Sequence, residues 1–231
     1  MFSQHQEPHF SQRNNWLRAS VLGANDGLIS TASLLMGMVA AKPDFSTLLL
    51  TGISALIGGS ISMAAGEYVS VSSQSDTEYA DLLKEKHELA KNPEAELREL
   101  TTIYRHRGLS LELAKQVAIE LTAHDALGAH LRDEVGLTEV STANPVQAAL
   151  ASAGSFCSGA ILPLVIALFT PNHWLIPVLA TTTLIGLAVL GWFSAKLGGA
   201  HPVRPMIRII IWGAIALLVT GFIGRMIGAA V

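Results

Sequence analysis

Five apolar stretches, each about as long as a bilayer is thick, constrain this chain more than any other feature: residues 18–41, 48–73, 146–169, 174–195 and 206–228. A helix needs about 20 apolar residues to cross the hydrocarbon core, where every backbone N–H and C=O must be bonded within its own segment. Turn-forming residues fall between the stretches: Lys42-Pro43-Asp44, Asn144-Pro145, Pro171-Asn172 and the run Gly198 to Pro205. The expected fold is therefore all-α, a polytopic membrane protein with five transmembrane helices. Five buried core helices of a soluble protein would leave too little of the 231 residues, only 14% of them charged, to cover them. The single cysteine, Cys157, excludes an intramolecular disulfide and a cysteine-built zinc site. A net charge of −3, with no basic run interleaved with aromatics, gives no footing for nucleic acid. The first sixteen residues are polar and lack the apolar run of a signal peptide, so insertion is expected through the internal spans.

Lys and Arg set the expected orientation. Leaving out the long middle segment, Arg13, Arg18, Lys196, Arg204 and Arg208 lie on one side, and Lys42 and Arg225 on the other. The positive-inside rule then places the N-terminus and the middle segment in the cytosol. The expected organisation is a polar cytosolic tail (1–17), two transmembrane helices (18–73), an acidic helical metal-binding domain (74–144) and three more transmembrane helices (145–231). The expected location is a bacterial inner membrane.

The middle segment has a different character. It carries 14 acidic residues against 8 basic ones, a net −6. No Gly or Pro lies between Glu67 and Asn92, so the second span is expected to continue as one helix out of the membrane. Asn92-Pro93-Glu94 reads as an N-cap, a proline at the first helical position and an acid in the first turn. Arg105-His106-Arg107-Gly108 reads as the other end of that helix. Ser110 caps a further helical stretch, with a break expected near His124-Asp125 and an end at Gly136.

Two Glu-x-x-Glu pairs flank the Asn92-Pro93 turn: Glu85 with Glu88, and Glu96 with Glu99. Residues three apart share a helix face, and a tight turn can bring the two pairs together. Four carboxylates in a small space repel one another unless a cation neutralises them; the alternative is a solvated acidic face laced with Lys84, Lys86 and Arg98. His130 and Glu134, four apart, share a face of the next helical stretch. An imidazole joined to carboxylates suits iron(II), manganese(II) or zinc(II) better than calcium. Within the spans, Asp26 and Glu67 are carboxylates at membrane depth, whose default reading is a place on an ion or proton path. Met63, one turn before Glu67, offers a thioether, although such methionines more often fill space. Gly52, Gly58, Gly59 and Gly66 favour close helix packing in the second span.

Leu17-Arg18 through Asn25-Asp26-Gly27-Leu28, the run Ser60 to Ser70 and the acidic insertion with its paired carboxylates together resemble the vacuolar iron transporter family, over nearly the whole chain. The resemblance implies a homodimer in the lipid bilayer that moves iron(II), and often manganese(II), out of the cytosol in exchange for protons, with no prosthetic group. It implies that Glu85, Glu88, Glu96, Glu99 and Glu134 collect metal and that Asp26 and Met63 line the path. Two positions depart from the plant form: His130 stands where that form has methionine, and Ala55 where it has a span glutamate, with Glu67 one turn after Met63.

The expected function is proton-coupled export of a divalent metal. One alternative is a membrane-anchored di-iron oxidase or peroxidase, for which the usual Glu-x-x-His spacing is missing. Another is a metal sensor held at the membrane by its spans.

Overall fold

A computed structural model describes residues 14–136 and 144–230; the tail through Arg13 and the acidic Glu139 lie outside the described residues. Those described form seven helices and no strand: α1 (Asn14–Ala40), α2 (Phe45–Lys91), α3 (Pro93–His106), α4 (Leu111–Asp133), α5 (Pro145–Phe169), α6 (Asn172–Leu197) and α7 (Val203–Ala230). Four of them, α2, α5, α6 and α7, are long and apolar enough to cross a membrane. Their ends follow the punctuation of the sequence. The α1–α2 connection contains Lys42 at φ 58°, and α6 starts directly after Pro171. Prolines 163 and 177 sit inside α5 and α6, as membrane helices tolerate when neighbours satisfy the freed carbonyls. Trp174 and Trp192, eighteen residues apart on α6, lie about 27 Å apart along its axis, close to the thickness of a hydrocarbon core. The indole rings are thus spaced to mark two interfaces.

The chain divides into two compact units. One contains α1, the first half of α2, and α5 to α7; the other is Val69–Pro145. In the first, α1 packs against α6 and α7, and α6 against α7. Its core joins Ala32, Leu35 and Met36 of α1 to Leu48, Ala167, Leu175, Leu179 and Leu217. Small residues permit the closest approaches. A Cβ on Gly159 of α5 would collide with the Ala24 carbonyl of α1, and one on Gly224 of α7 with the Gly37 carbonyl. Helix α1 carries the polar Asn25 and Asp26, yet its Leu28, Ala32 and Leu35 are fully buried. From Ser20 onward its exposed residues are Leu22, Asp26, Ser30 and Leu34, an i, i+4 stripe.

In the second unit the rest of α2 is followed by α3 and α4, which pack on each other through Leu100, Tyr104, Ala114, Ala118 and Ala129. Asn92 stands at the N-cap of α3 with Pro93 at the first position, and Gly108 follows its end at φ 99°. A left-handed backbone there suits glycine, which has no Cβ to clash. The Ser110 hydroxyl accepts from the Leu113 N–H and caps α4. Helix α4 is broken at Asp125, whose backbone is extended (φ −160°, ψ 88°). The Asp125 carboxylate then accepts the Gly128 N–H at 3.0 Å, starting the last two turns as a freshly capped helix.

Candidate metal centre

Those last two turns carry His130 and Glu134, and the break at Asp125 sets their direction independently of the first half of α4. His130 is fully buried. Its Nδ1 lies 3.0 Å from Glu85 Oε1, 3.1 Å from Glu134 Oε2 and 3.9 Å from Glu96 Oε2. Ligand atoms of Glu85, Glu96, His130 and Glu134 all fall within 4.8 Å of one another. Each of the unit's three helices thus contributes: α2 gives Glu85, α3 gives Glu96, and α4 with its C-cap gives the other two. Two ligands held at right angles about 2.1 Å from a common ion are about 3 Å apart. The two short separations from His130 match that spacing, so the cluster has the dimensions of a coordination shell for one ion.

The surroundings favour a cation. Glu85 and Glu96 are 3% and 7% exposed, and Glu85 Oε1 and His130 Nε2 are buried without a hydrogen-bond partner. Burial pushes the Glu85 carboxyl above its ordinary range, and the nearby charges of Glu134, Glu96 and Glu88 push it further, against the pull of His130. Burial raises Glu96 as well, with Glu99, Glu88 and Glu134 adding to the rise. A divalent ion would reverse the energetics of every one of these contacts. With three carboxylates, one imidazole and no thiolate, the donor set suits a first-row divalent metal.

The structure brings together one member of each Glu-x-x-Glu pair. Glu88 stays on the outer side of α2, 3.9 Å from Lys84, and Glu99 is exposed on α3. Residues three apart on a helix differ by about 60° around its axis, so a narrow centre admits one member of each pair while the other faces outward. Glu88 still acts through charge on both Glu85 and Glu96, and Glu99 on Glu96. In the other unit, Asp26 is exposed on α1, and Met63 and Glu67 are partly exposed on α2. The Met63 carbonyl accepts the Ser152 hydroxyl at 3.5 Å.

One group beside the centre had no signature in the sequence. Asp133, next to Glu134, has a side chain only 6% exposed. It accepts the Tyr104 hydroxyl and Arg107 Nη1, each at 2.5 Å, and Arg132 Nη2 at 3.2 Å. Burial alone would raise this carboxyl, but the three donors outweigh it and hold Asp133 below the ordinary range. The Arg107 guanidinium also lies over the Tyr104 ring, 5.5 Å from its centroid. Tyr104 and Arg107 thereby clasp the end of α3 to the end of α4, where Glu134 is presented. Only the pairing of residues far apart in the chain reveals this; neither type nor spacing marks it beforehand.

Known proteins give the arrangement a setting. The VIT family profile matches residues 17–225. The "Vacuolar iron transporter" of Acanthamoeba castellanii is 41% identical over 210 residues, covering 90% of this chain and 77% of that protein. The "Vacuolar iron transporter homolog 4" of Arabidopsis thaliana is 34% identical over 221 residues, 95% of this chain and 88% of its own length. "VIT-like transporter 1a" of Glycine max is 33% identical over 195 residues. These names are those of transporters, not of enzymes.

Proposed function

This chain belongs to the VIT family, and on that premise we propose that it is a proton-coupled transporter exporting iron(II), with manganese(II) or zinc(II) as further substrates, from the cytosol. One observation carries the reading: four metal-ligating side chains converge within 4.8 Å in a helical unit of a chain whose other helices are built for a membrane. Relatives named as iron transporters supply the substrate.

In this reading α1 is the fifth span. Its 27 residues reach about 40 Å; α6 and α7 pack along it, Asn25 is partly buried, and Asp26 stays exposed. Val69–Pro145 is then an acidic domain inserted between the second and third spans. The excess of Lys and Arg on its side of the membrane supports a cytosolic placement. There the Glu85 centre concentrates metal, and the outward Glu88 and Glu99 make the approach more negative. Within the membrane Asp26 receives the ion, Met63 contributes a thioether that favours softer cations, and Glu67 stands one turn on. A single carboxylate that holds either a proton or a metal ion, never both, suffices for antiport. On a bacterial inner membrane export would leave the cell, and on a vacuole it would fill the lumen; either way cytosolic metal falls.

The reading includes a homodimer. Asp26 lies on the exposed stripe of α1 formed by Leu22, Asp26, Ser30 and Leu34, where contact with lipid would be costly. Helix α2 exposes Ser54, Gly58, Ser62 and Gly66 at intervals of four, and a Cβ on Gly58 or Gly66 would meet nothing within 4 Å. By contrast Gly52 and Gly59 are already packed against Leu164 and Phe156. Such a small-residue face is suited to a second membrane helix, and a second copy would shield Asp26.

Iron(II) flux into proteoliposomes, with and without a pH gradient, tests the function. The native protein should show flux that depends on the gradient, and Asp26→Asn should abolish it while iron(II) binding at the Glu85 centre persists. Unchanged flux in Asp26→Asn removes Asp26 from the path. Absence of flux from correctly inserted native protein, with peroxide consumed at turnover rates, would make the chain an oxidase instead.

A further inference from the structure

At the end of the membrane unit where α1 meets α2, a cavity of about 710 Å³ is lined by Lys42, Pro43, Phe45, Asn172, His173 and Arg225. A second cavity, of about 510 Å³, lies along α1, α6 and α7 and is walled by Met36, Ala180, Ala214, Leu217, Gly221 and Phe222. The two share Ala40, Ile176 and Arg225, so they adjoin, a cationic mouth beside an apolar trough. Both volumes are within the range of about 300–1,000 Å³ usual for small-molecule sites.

The charges at the mouth are a selected set. The positive-inside count leaves this side of the membrane two basic side chains, Lys42 and Arg225, and both line the cavity. The first residues of α6, Asn172 and His173, line it too. No side chain caps that helix, whose N-cap is Pro171, so the N–H groups of Asn172 and His173 add to the positive potential, while that of Trp174 donates to the Pro171 carbonyl. The nearby carboxylate, Asp44, does not line the cavity and instead accepts the Ser46 hydroxyl at the start of α2. Trp174, 58% exposed beside His173, puts this end at headgroup depth. The trough is open because small side chains, Ala40, Ala180, Ala214 and Gly221, alternate with large ones along three helices.

We propose that this space is a binding site for an anionic phospholipid, with the phosphate held by Lys42, Arg225 and the start of α6, and one acyl chain lying in the trough between α1, α6 and α7. Charge at the mouth selects an anion, and the apolar trough below it selects an anion that carries a chain. A zwitterionic lipid brings its own cation to Lys42 and Arg225 and gains less. Free phosphate satisfies the mouth and leaves the trough unfilled. Its lining includes neither Asp26 nor any residue of the metal centre, and it ties together α1, α6 and α7.

The test uses the whole 231-residue chain in detergent, with thermal unfolding and native mass spectrometry as readouts. Dioleoylphosphatidylglycerol should raise the melting temperature and remain bound at one molecule per protomer. Dioleoylphosphatidylcholine and inorganic phosphate at matched concentration should do neither. In Lys42→Gln/Arg225→Gln the preference for phosphatidylglycerol should fall by about tenfold or more, from two lost charges at the headgroup, while iron(II) binding is unchanged. Ala214→Phe, which fills the trough and keeps the charges, should displace the lipid and serves if the double variant does not fold. Equal response to the two lipids, a preference that survives both variants, or stabilisation by inorganic phosphate equal to that by the lipid overturns the proposal.

Discussion

Glu85 and Glu96 sit where a negative charge is costly, and a pH dependence follows. Their folded-state carboxyls titrate above the ordinary range. Between the ordinary and the raised values the folded protein binds more protons than the unfolded one, so stability without metal falls as pH rises through that window. Asp133 has the opposite sign: its lowered carboxyl contributes stability that is present above the ordinary value and lost as pH falls through the lowered one. Melting temperatures with a chelator should therefore decline as pH rises above the ordinary carboxylate range. Added iron(II) or manganese(II) should reverse this decline, so the stabilisation by metal grows with pH. Glu85→Gln should flatten the decline, stabilise the metal-free protein at neutral pH and weaken metal binding at least tenfold, by analogy with the loss of a metal-site residue. Calorimetric titration on the same samples measures the last effect; retention of native affinity would remove Glu85 from the centre.

At the scale of elements, the break in α4 is the decisive one. The Asp125 carboxylate accepts the Gly128 N–H, and a Cβ on Gly128 would collide with that carboxylate. Asp125→Ala should cost about 1 kcal/mol of stability, as the loss of an N-cap generally does. It should also lower metal affinity, because it frees the direction of the two turns that carry His130 and Glu134. Asp125→Asn keeps an acceptor at the cap and should restore both quantities. Denaturant unfolding and metal titration of the two variants separate this positioning role from a charge effect, since Asn rescues only the former.

For the molecule as a whole, the prediction concerns the outward face of α2. Gly58→Leu and Gly66→Leu place bulk where nothing of the same chain is near, and Gly59→Leu places it against the Phe156 ring. The first two variants should remain folded and shift to the monomer in mass measurements in detergent, with loss of metal flux. The third should lower thermal stability without selective dissociation. A dimer undisturbed by Gly58→Leu and Gly66→Leu would move the interface elsewhere.

Much of this protein is determined locally and can be read from its sequence. Length and hydropathy specify the spanning helices α2, α5, α6 and α7, because a bilayer imposes the same requirement on any segment that crosses it. Asn92-Pro93, Ser110, Gly108 and the break at Asp125 are equally local, since caps and breakers act within a few residues of themselves. Side chains that lie far apart in the chain are another matter. Sequence spacing offers four glutamates as equals, and only the packing of Leu100 and Tyr104 on Ala114, Ala118 and Ala129 turns Glu96 inward beside His130 and leaves Glu99 in solvent. That Asn25 is partly buried while Asp26 is left exposed depends on the helices around α1, and that Lys42 and Arg225 share one cavity depends on how α1, α6 and α7 assemble. A helix records its own ends in its residues, but which face it turns to its neighbours is fixed only when all of them pack at once.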